Sequence, residues 1–267
     1  LALAFSAGAS ASDISPRIGL IEIYGAHHVS TQKIRSVLGV TEGGLLPSSK
    51  GDVEGKLDEL SGVVDSRLEA NCCLDGKLVL YVGIQERDSP HFEFHAAPEG
   101  NDVLPPEITS QYDAFLDNVN QSIRLNEPGE DLTRGYSLMV HPGARRIQEA
   151  FLPLAAEHLD SLHKVLRDAS DPEQRAIAAY VLQYGPRKPR TTPQIANDLQ
   201  YALQDPDDRV RKNAMRSLTA LLVGERLHPE QEVKIQPTWF VELLNSVVWS
   251  DRHNASLALV NLTEDRN

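Results

Sequence analysis

Few side chains in this 267-residue chain have the types and spacing that metal binding or catalysis requires. His27 and His28 are adjacent, as are Cys72 and Cys73, and imidazole and thiolate groups are ordinary metal ligands. Neighbouring side chains of an extended segment point to opposite sides, and no partner set follows at ligand spacing, so neither pair predicts a metal site. The sequence favours a solvated loop for the histidines and small buried side chains for the cysteines.

Other candidates for catalysis are equally sparse. His158 and His163 lie five residues apart on a predicted helix, which is a poor ligand spacing, and surface or interhelix contacts are their expected role. The sequence contains no G-x-S-x-G, phosphate-binding-loop, H-E-x-x-H or paired-cysteine motif. We therefore predict no catalytic residue, no metal and no cofactor, and a chain that is not an enzyme.

The composition argues against a nucleic-acid partner. The formal net charge is -12, with 26 Lys and Arg residues against 38 Asp and Glu residues. The densest basic cluster, RKPR at residues 187–190, has prolines beside and within it, which is typical of a solvated loop between helices. Because a phosphate backbone attracts basic surfaces, we expect no nucleic-acid partner.

The first residues predict export. The stretch LALAFSAGASASD has an apolar run followed by small residues, and Ala9-Ser10-Ala11 fits the small-x-small pattern of a cleavage site. Residues 1–12 are interpreted as a signal-peptide remnant, which predicts a periplasmic or envelope-associated protein. A truncated chain with a disordered start is the alternative. No later segment approaches about 18 consecutive apolar residues, so no membrane-spanning helix is predicted.

Residues 17–95 have the pattern of a small α/β domain. Residues 18–25 and 77–86 are rich in β-branched and aromatic side chains and predict strands, and two short helices lie between them. The first helix is expected to have Ser30 as its N-cap and to end at Gly39. A further strand, VVDSRLEANCC, precedes Asp75-Gly76, which is a strong two-residue turn signal. The predicted order is strand, helix, helix, strand, turn, strand.

This order, together with Gly25, Gly43 and Glu86, resembles the POTRA family, whose small domains serve bacterial envelope transport and assembly proteins. The resemblance implies a small sheet backed by two helices, without catalytic residues. It also implies that an extended segment of a partner adds to an open sheet edge, where backbone hydrogen bonds supply the affinity.

A Pro- and Gly-rich stretch, residues 96–106, is predicted to be a linker, and residues 107–267 are predicted to be helical. The first helix of this region, PEITSQYDAFLDNVNQSIRL, has one wide apolar stripe and must pack against a partner. The members of that stripe are Ile108, Tyr112, Phe115 and Val119, with Leu116 and Ile123 beside it.

Three later segments can be superposed on an aspartate. Each has an alanine seven places on and a leucine eleven places on, and two have an arginine four places on: Asp171, Arg175, Ala178 and Leu182; Asp207, Arg211, Ala214 and Leu218; Asp251, Ala255, Ala258 and Leu262. The aspartates lie 36 and 44 residues apart, which fits a repeat of two helices. The aspartates are expected to cap helix starts, and all the charged members of the set are expected to be structural.

These segments, DPDDRVRKNAMRSL above all, resemble the second helix of HEAT repeats, over about residues 159–264. The resemblance implies an α-solenoid of stacked helix pairs, whose concave surface binds proteins or peptides. In the third segment Ala255 stands where the family has arginine, which indicates either a capping repeat or an array that ends early. The combined layout resembles that of bacterial proteins that join a POTRA-like part to HEAT-like repeats. This resemblance implies an architecture and no assigned activity.

A binding surface is expected near the end of the chain. Trp239, Phe240, Trp249 and Arg252 are of the types that anchor interfaces. The alternative is that these aromatic residues pack against the preceding helix pair.

The sequence as a whole predicts a non-enzymatic scaffold of the bacterial envelope that binds a protein or peptide. A HEAT-like enzyme of the DNA glycosylase or bilin lyase type is the alternative, which acidic charge and export disfavour, and a purely structural spacer is a third reading.

Overall fold

The structure is a computed structural model that describes residues 17–74, 77–125, 127, 129–229 and 233–263. The predicted cleavage site, the Asp75-Gly76 turn and the side chains of Cys72 and Cys73 lie outside these described parts. The described chain is mixed α+β, with a small three-stranded sheet near the amino terminus and helices after it. It divides into two compact units: the first runs to His91 and includes Val247–Trp249, and the second comprises the rest from Phe92.

The first unit has its strands and helices in the predicted order. The elements are β1 (Ile18–Tyr24), α1 (Thr31–Leu38), α2 (Lys50–Asp58), β2 (Val63–Leu74) and β3 (Lys77–Glu86). β3 is the central strand, parallel to β1 and antiparallel to β2. Leu80, Val82 and Ile84 alternate along β3 and pack with Ile34 of α1 and Leu57 of α2, so one face of the sheet and both helices share a core.

The boundaries of α1 follow from its capping residues. The side chain of Ser30 accepts a hydrogen bond from the Lys33 N–H group, and Gly39 ends the helix with a left-handed backbone, φ 68°. Both roles were predicted from the sequence and both are confirmed.

The chain after β3 folds mainly into helices, with one short strand pair in the described part. These helices are α3 (Pro106–Arg124), α4 (Pro142–Glu157), α5 (Leu159–Asp168), α6 (Pro172–Val181), α7 (Thr191–Ala202), α8 (Asp208–Leu227), α9 (Pro237–Leu243) and α10 (Trp249–Thr263). The two-residue strands β4 (Glu130–Asp131) and β5 (Leu138–Met139) pair between α3 and α4. Helix α5 packs on α6, α7 packs on α8, and α6 packs on α8, with their apolar side chains in one continuous core.

The stretch predicted as a linker is held against the helices of the second unit. Gly100 donates its N–H group to the Asp168 carbonyl at 2.8 Å and accepts from the Ser170 N–H group at 2.7 Å. Leu104 is buried, and its N–H group is bonded to Oε1 of Gln174 at 2.8 Å. A Pro- and Gly-rich composition is common to free linkers and to extended segments that need close backbone contact, so composition did not separate the two.

Candidate functional site

Buried arginine–aspartate pairs join α6 to the turn before α8, and α8 to α10, in the second unit. Arg175 of α6 donates from Nε to Oδ2 of Asp205 at 2.7 Å and from Nη2 to Oδ1 at 2.9 Å. Arg211 of α8 donates from Nε to Oδ2 of Asp251 in α10 at 2.9 Å. Each of these four side chains is at most 2% exposed. Charges buried this deeply are tolerated only when they are paired and hydrogen-bonded.

A repeated contact fixes the position of each arginine. Arg175, Arg211 and Arg252 each donate from Nη1 to the carbonyl oxygen six residues earlier, at 2.8, 2.8 and 3.4 Å respectively. By this contact the third arginine of the set is Arg252, and the arginines are 36 and 41 residues apart. The superposition on aspartates, with its second spacing of 44 residues, therefore misaligned the third segment by three residues.

The role expected for Asp251 has to be corrected for the same reason. Asp171 and Asp207 are helix caps as predicted, because each side chain accepts a hydrogen bond from the N–H group two residues on. Asp251 lies inside α10 instead, and its carboxylate pairs with Arg211 and accepts a hydrogen bond from Ser246 Oγ at 2.8 Å. An aspartate near a helix start can serve either purpose, and sequence spacing does not distinguish them.

Ala255 corresponds to different residues of the first two segments once the alignment of the third segment is shifted by three residues. It falls three residues after Arg252, as Ala178 and Ala214 fall three residues after their arginines, and all three alanines are fully buried. The arginine that the sequence superposition found missing at position 255 is therefore present three residues earlier.

A cleft of about 640 Å³ opens between α3, α6 and α8 of the second unit. Aromatic rings form its floor: Phe115 stacks on Tyr180 with ring centroids 5.1 Å apart, and Tyr112 meets Tyr180 edge-on at 5.3 Å. Asn213 of α8 donates from Nδ2 to the Ala176 carbonyl at 2.8 Å, which ties α8 to α6 beneath the floor. The floor is therefore fixed by packing on three helices.

The α3 wall of the cleft is apolar. Leu116, Val119 and Ile123 line it, at the spacing that places side chains on one helix face. Leu116 is 42% exposed and Ile123 is 58% exposed, so both offer apolar surface at the rim. Sequence periodicity identified this wide stripe and predicted that it must pack against a partner, and the structure leaves its outer side chains open to solvent.

The α8 wall of the cleft is basic. Arg209, Lys212 and Arg216 line it, again at i, i+3 and i+7. Arg209 pairs with Asp207 at 2.9 Å, and Arg216 pairs with Glu130 of β4. Sequence reasoning missed this basic stripe, although the same spacing rule that revealed the α3 stripe would have found it.

Burial shifts the pKa of Arg216 and of Tyr112 in the cleft. Burial lowers the pKa of Arg216 to about 10, so the guanidinium stays protonated at neutral pH, and its Nε donates to Ser137 Oγ at 3.0 Å. Burial also raises the pKa of Tyr112, which keeps its hydroxyl neutral. The described residues that line the cleft therefore offer apolar surface, neutral hydroxyl groups and charged groups. Binding sites in proteins are built from groups of these kinds.

Glu86, one of the residues behind the family resemblance, anchors a loop in the first unit. Its carboxylate accepts hydrogen bonds from the backbone N–H groups of His27, His28 and Val29, at 3.0, 3.0 and 2.8 Å. Burial raises the pKa of Glu86, but the three hydrogen bonds outweigh burial and the pKa lies below its ordinary value. The exposed side chains of the two histidines agree with the predicted solvated loop.

His158 and His163 make contacts between helices, one of the roles expected for them, but they do not share one helix, because His158 lies in the break between α4 and α5. His158 lies 3.0 Å from Glu107 of α3. His163 of α5 is buried, and its Nδ1 contacts the Asp198 carboxylate of α7, which also accepts from Nε of Arg167 at 2.7 Å.

The four residues expected to form a binding surface have separate surroundings. Phe240 is fully buried in the helical core, and Trp239 packs against that core. Trp249 belongs to the first unit, where its ring stacks on Tyr81 with centroids 4.1 Å apart. Phe240 has no surface to offer a partner, and the binding role of Trp239, Trp249 and Arg252 stays a prediction.

No model of a known protein family matches the chain, and neither does a curated protein or a solved structure. Within the described ranges, no group of three or more His, Cys, Asp and Glu side chains is placed to hold a metal ion. Of the helices that these ranges contain, none combines the length and the apolar character needed to cross a membrane.

Proposed function

We propose that the chain is a non-enzymatic docking protein of the bacterial cell envelope, which binds a protein or peptide through its helical unit. The observation that carries this proposal is the cleft, in which exposed apolar side chains of α3 face exposed basic side chains of α8 across a floor of aromatic rings. Aromatic and apolar groups at the centre with charges at the rim are typical of protein interfaces.

The contacts of the helical unit support a HEAT-like arrangement, which we propose for residues 159–264. An arginine bonded to the carbonyl six residues earlier recurs in α6, α8 and α10, and a recurring contact of this kind supports a repeat of helix pairs. Helices α6 and α8 are the second members of their proposed pairs, and both line the cleft. Solenoids of this type bind partners on an extended helical surface.

For residues 17–95 we propose a POTRA-like fold, which fits the proposed export to the envelope. A partner strand at its sheet edge has less support than the cleft. Ile18 of β1 exchanges backbone hydrogen bonds with Gly43 and Gly44, and the Leu68 N–H group of β2 donates to Oε1 of Glu54 at 2.7 Å. Edge strands blocked in this way resist further pairing.

Site-specific photo-crosslinking tests the proposed function. A benzophenone amino acid is introduced in place of Leu116 in the intact chain, which is then irradiated in a bacterial envelope extract. A discrete cross-linked protein or peptide is expected from this position. The matched control replaces Leu257 of α10, a leucine that is 51% exposed and lies outside the cleft. No product at Leu116, or the same products at both positions, would refute docking in the cleft.

A further inference from the structure

The two walls of the cleft define the chemistry of what fits between them. We infer that the cleft binds an acidic amphipathic helix of a partner protein, with apolar side chains on one face and carboxylates along one border. This inference rests on the proposed function and adds the chemical character of the partner.

The spacing of the wall residues fits a helical partner. Leu116 and Ile123 are seven residues apart on α3, and so are Arg209 and Arg216 on α8. With a rise of about 1.5 Å per residue, each stripe is roughly 10 Å long, or about two helical turns. Helices that bind in grooves place their anchors at i, i+3 or i+4, and i+7, which is the same length.

The charges of the cleft walls determine the sign of the charge that a partner must carry. The whole chain carries a net charge of -12 and would repel an acidic partner, so attraction must come from a local basic surface. The described lining supplies that surface with three cations on α8 against two carboxylates, Glu130 and Glu173. Neither carboxylate belongs to α8. When the carboxylate border of the partner helix lies along α8, it therefore contacts the stripe of Arg209, Lys212 and Arg216.

Arg209 can exchange its present partner at low cost. Its side chain is 57% exposed and that of its partner Asp207 is 19% exposed. Ion pairs that water reaches contribute little to stability, so a carboxylate of a bound helix replaces Asp207 readily. Lys212 is exposed and completes the stripe between the two arginines.

A small amphipathic anion fits the cleft less well than a helix. Small-molecule sites enclose most of the ligand and place a few buried polar groups around it. In this cleft Lys212 and Arg209 are exposed at the rim, and the apolar side chains of Leu116 and Ile123 are half in water. Such a surface remains largely uncovered by a small ligand, whereas two turns of a helix cover both stripes.

The test uses three synthetic peptides of about 18 residues with identical apolar faces, which carry Glu, Gln or Lys along one border. Their affinities for the intact chain are measured by fluorescence anisotropy. The Glu peptide is expected to bind about tenfold more tightly than the Gln peptide, and the Lys peptide more weakly than both. Lys212→Glu is expected to remove most of this preference. The matched control Lys188→Glu makes the same charge change in an exposed loop and is expected to leave the preference unchanged.

Other outcomes separate this inference from the proposed function. Equal binding of all three peptides, lost in Leu116→Gln and Ile123→Gln, would overturn the acidic partner and leave docking in the cleft intact. Binding of dodecanoate in an Ile123-dependent way, with no peptide bound, would identify a small amphiphile and overturn the helical partner. A cross-link at position 116 without peptide binding would reject this inference alone. Failure of both experiments would reject the inference together with the proposed function. Circular dichroism of every variant confirms that the helices are retained.

Discussion

Asp205 binds the guanidinium group of Arg175 through both carboxylate oxygens, and water reaches almost none of either side chain. The backbone carbonyl of the same aspartate accepts a hydrogen bond from Nη1 of Arg211 at 2.8 Å. One residue therefore connects the arginine of α6 with the arginine of α8. Asp205 therefore ties α6 to α8 through its side chain and its backbone.

Asp205→Asn is expected to destabilise the helical unit by about 3–5 kcal/mol, because the buried guanidinium of Arg175 then lacks a counter-charge. The free energy of unfolding is measured by urea denaturation followed by circular dichroism. The control is Glu149→Gln, which breaks water-accessible ion pairs with Arg134 and Arg145 and is expected to cost about 1 kcal/mol or less. Equal losses in the two variants would contradict a special role for burial.

Ala255→Arg tests the corrected alignment of the third segment. If Ala255 corresponded to Arg175 and Arg211, an arginine there would restore the repeat and stabilise the protein. Because Ala255 is fully buried and Arg252 already occupies the arginine position, we expect a loss of roughly 2–4 kcal/mol in urea denaturation. Ser256→Arg, a change at the exposed neighbouring position, should be nearly neutral. Stabilisation by Ala255→Arg would reinstate the spacing of 44 residues.

Gly25 and Gly43 both have left-handed backbones, and alanine is expected to act differently at each. At Gly43 (φ 86°) no atom lies within 4 Å of an added Cβ, so Gly43→Ala should cost only the conformational energy, about 1–2 kcal/mol. At Gly25 (φ 78°) the added Cβ would lie 2.1 Å from the Ile84 carbonyl oxygen. Gly25→Ala is therefore expected to disrupt the sheet as well, seen as a much larger fall in thermal unfolding temperature. Equal falls would contradict the close contact with β3.

Glu86 predicts how the first unit responds to acid. The folded pKa of Glu86 lies below its unfolded value of about 4.3, so its stabilising effect is complete above that value and is lost as the pH falls through the folded pKa. Glu86→Gln should lower the urea midpoint at pH 7, and the difference from the unaltered chain should shrink below about pH 4. Glu22→Gln, at an exposed position of β1, should change little at either pH. A difference that stays constant across this range would show that the charge of Glu86 is not involved.

The first unit was predictable because several local signals agreed. The alternation in β3, the cap at Ser30 and the stop at Gly39 each indicate a boundary or a face, and tertiary packing did not override them. The alignment of the third helical segment failed because spacing was measured between aspartates, whose role differs between Asp207 and Asp251. The contact that recurs in α6, α8 and α10 joins an arginine to a backbone carbonyl, and sequence spacing does not reveal which carbonyl an arginine reaches.

The cleft could be predicted only in part. Periodicity shows that Leu116 and Ile123 share a face of α3, but whether a helix covers that face depends on the path of the chain between α3 and α6. The basic stripe of α8 was visible in the residue spacing, and its significance depends on which residues lie opposite. Sequence patterns identify the faces of helices, whereas the pairing of faces is a property of the fold.

The chain of contacts from Arg175 through Asp205 and Arg211 to Asp251 is expected to make α6, α8 and α10 unfold together. Detaching α10 leaves the charge of Arg211 stranded in an apolar interior, and detaching α6 strands the carboxylate of Asp205. Fraying from either end is therefore penalised before any apolar contact is counted. Fragments cut between these helices are expected to be less stable than the whole chain, and α6, α8 and α10 are expected to melt in a single step.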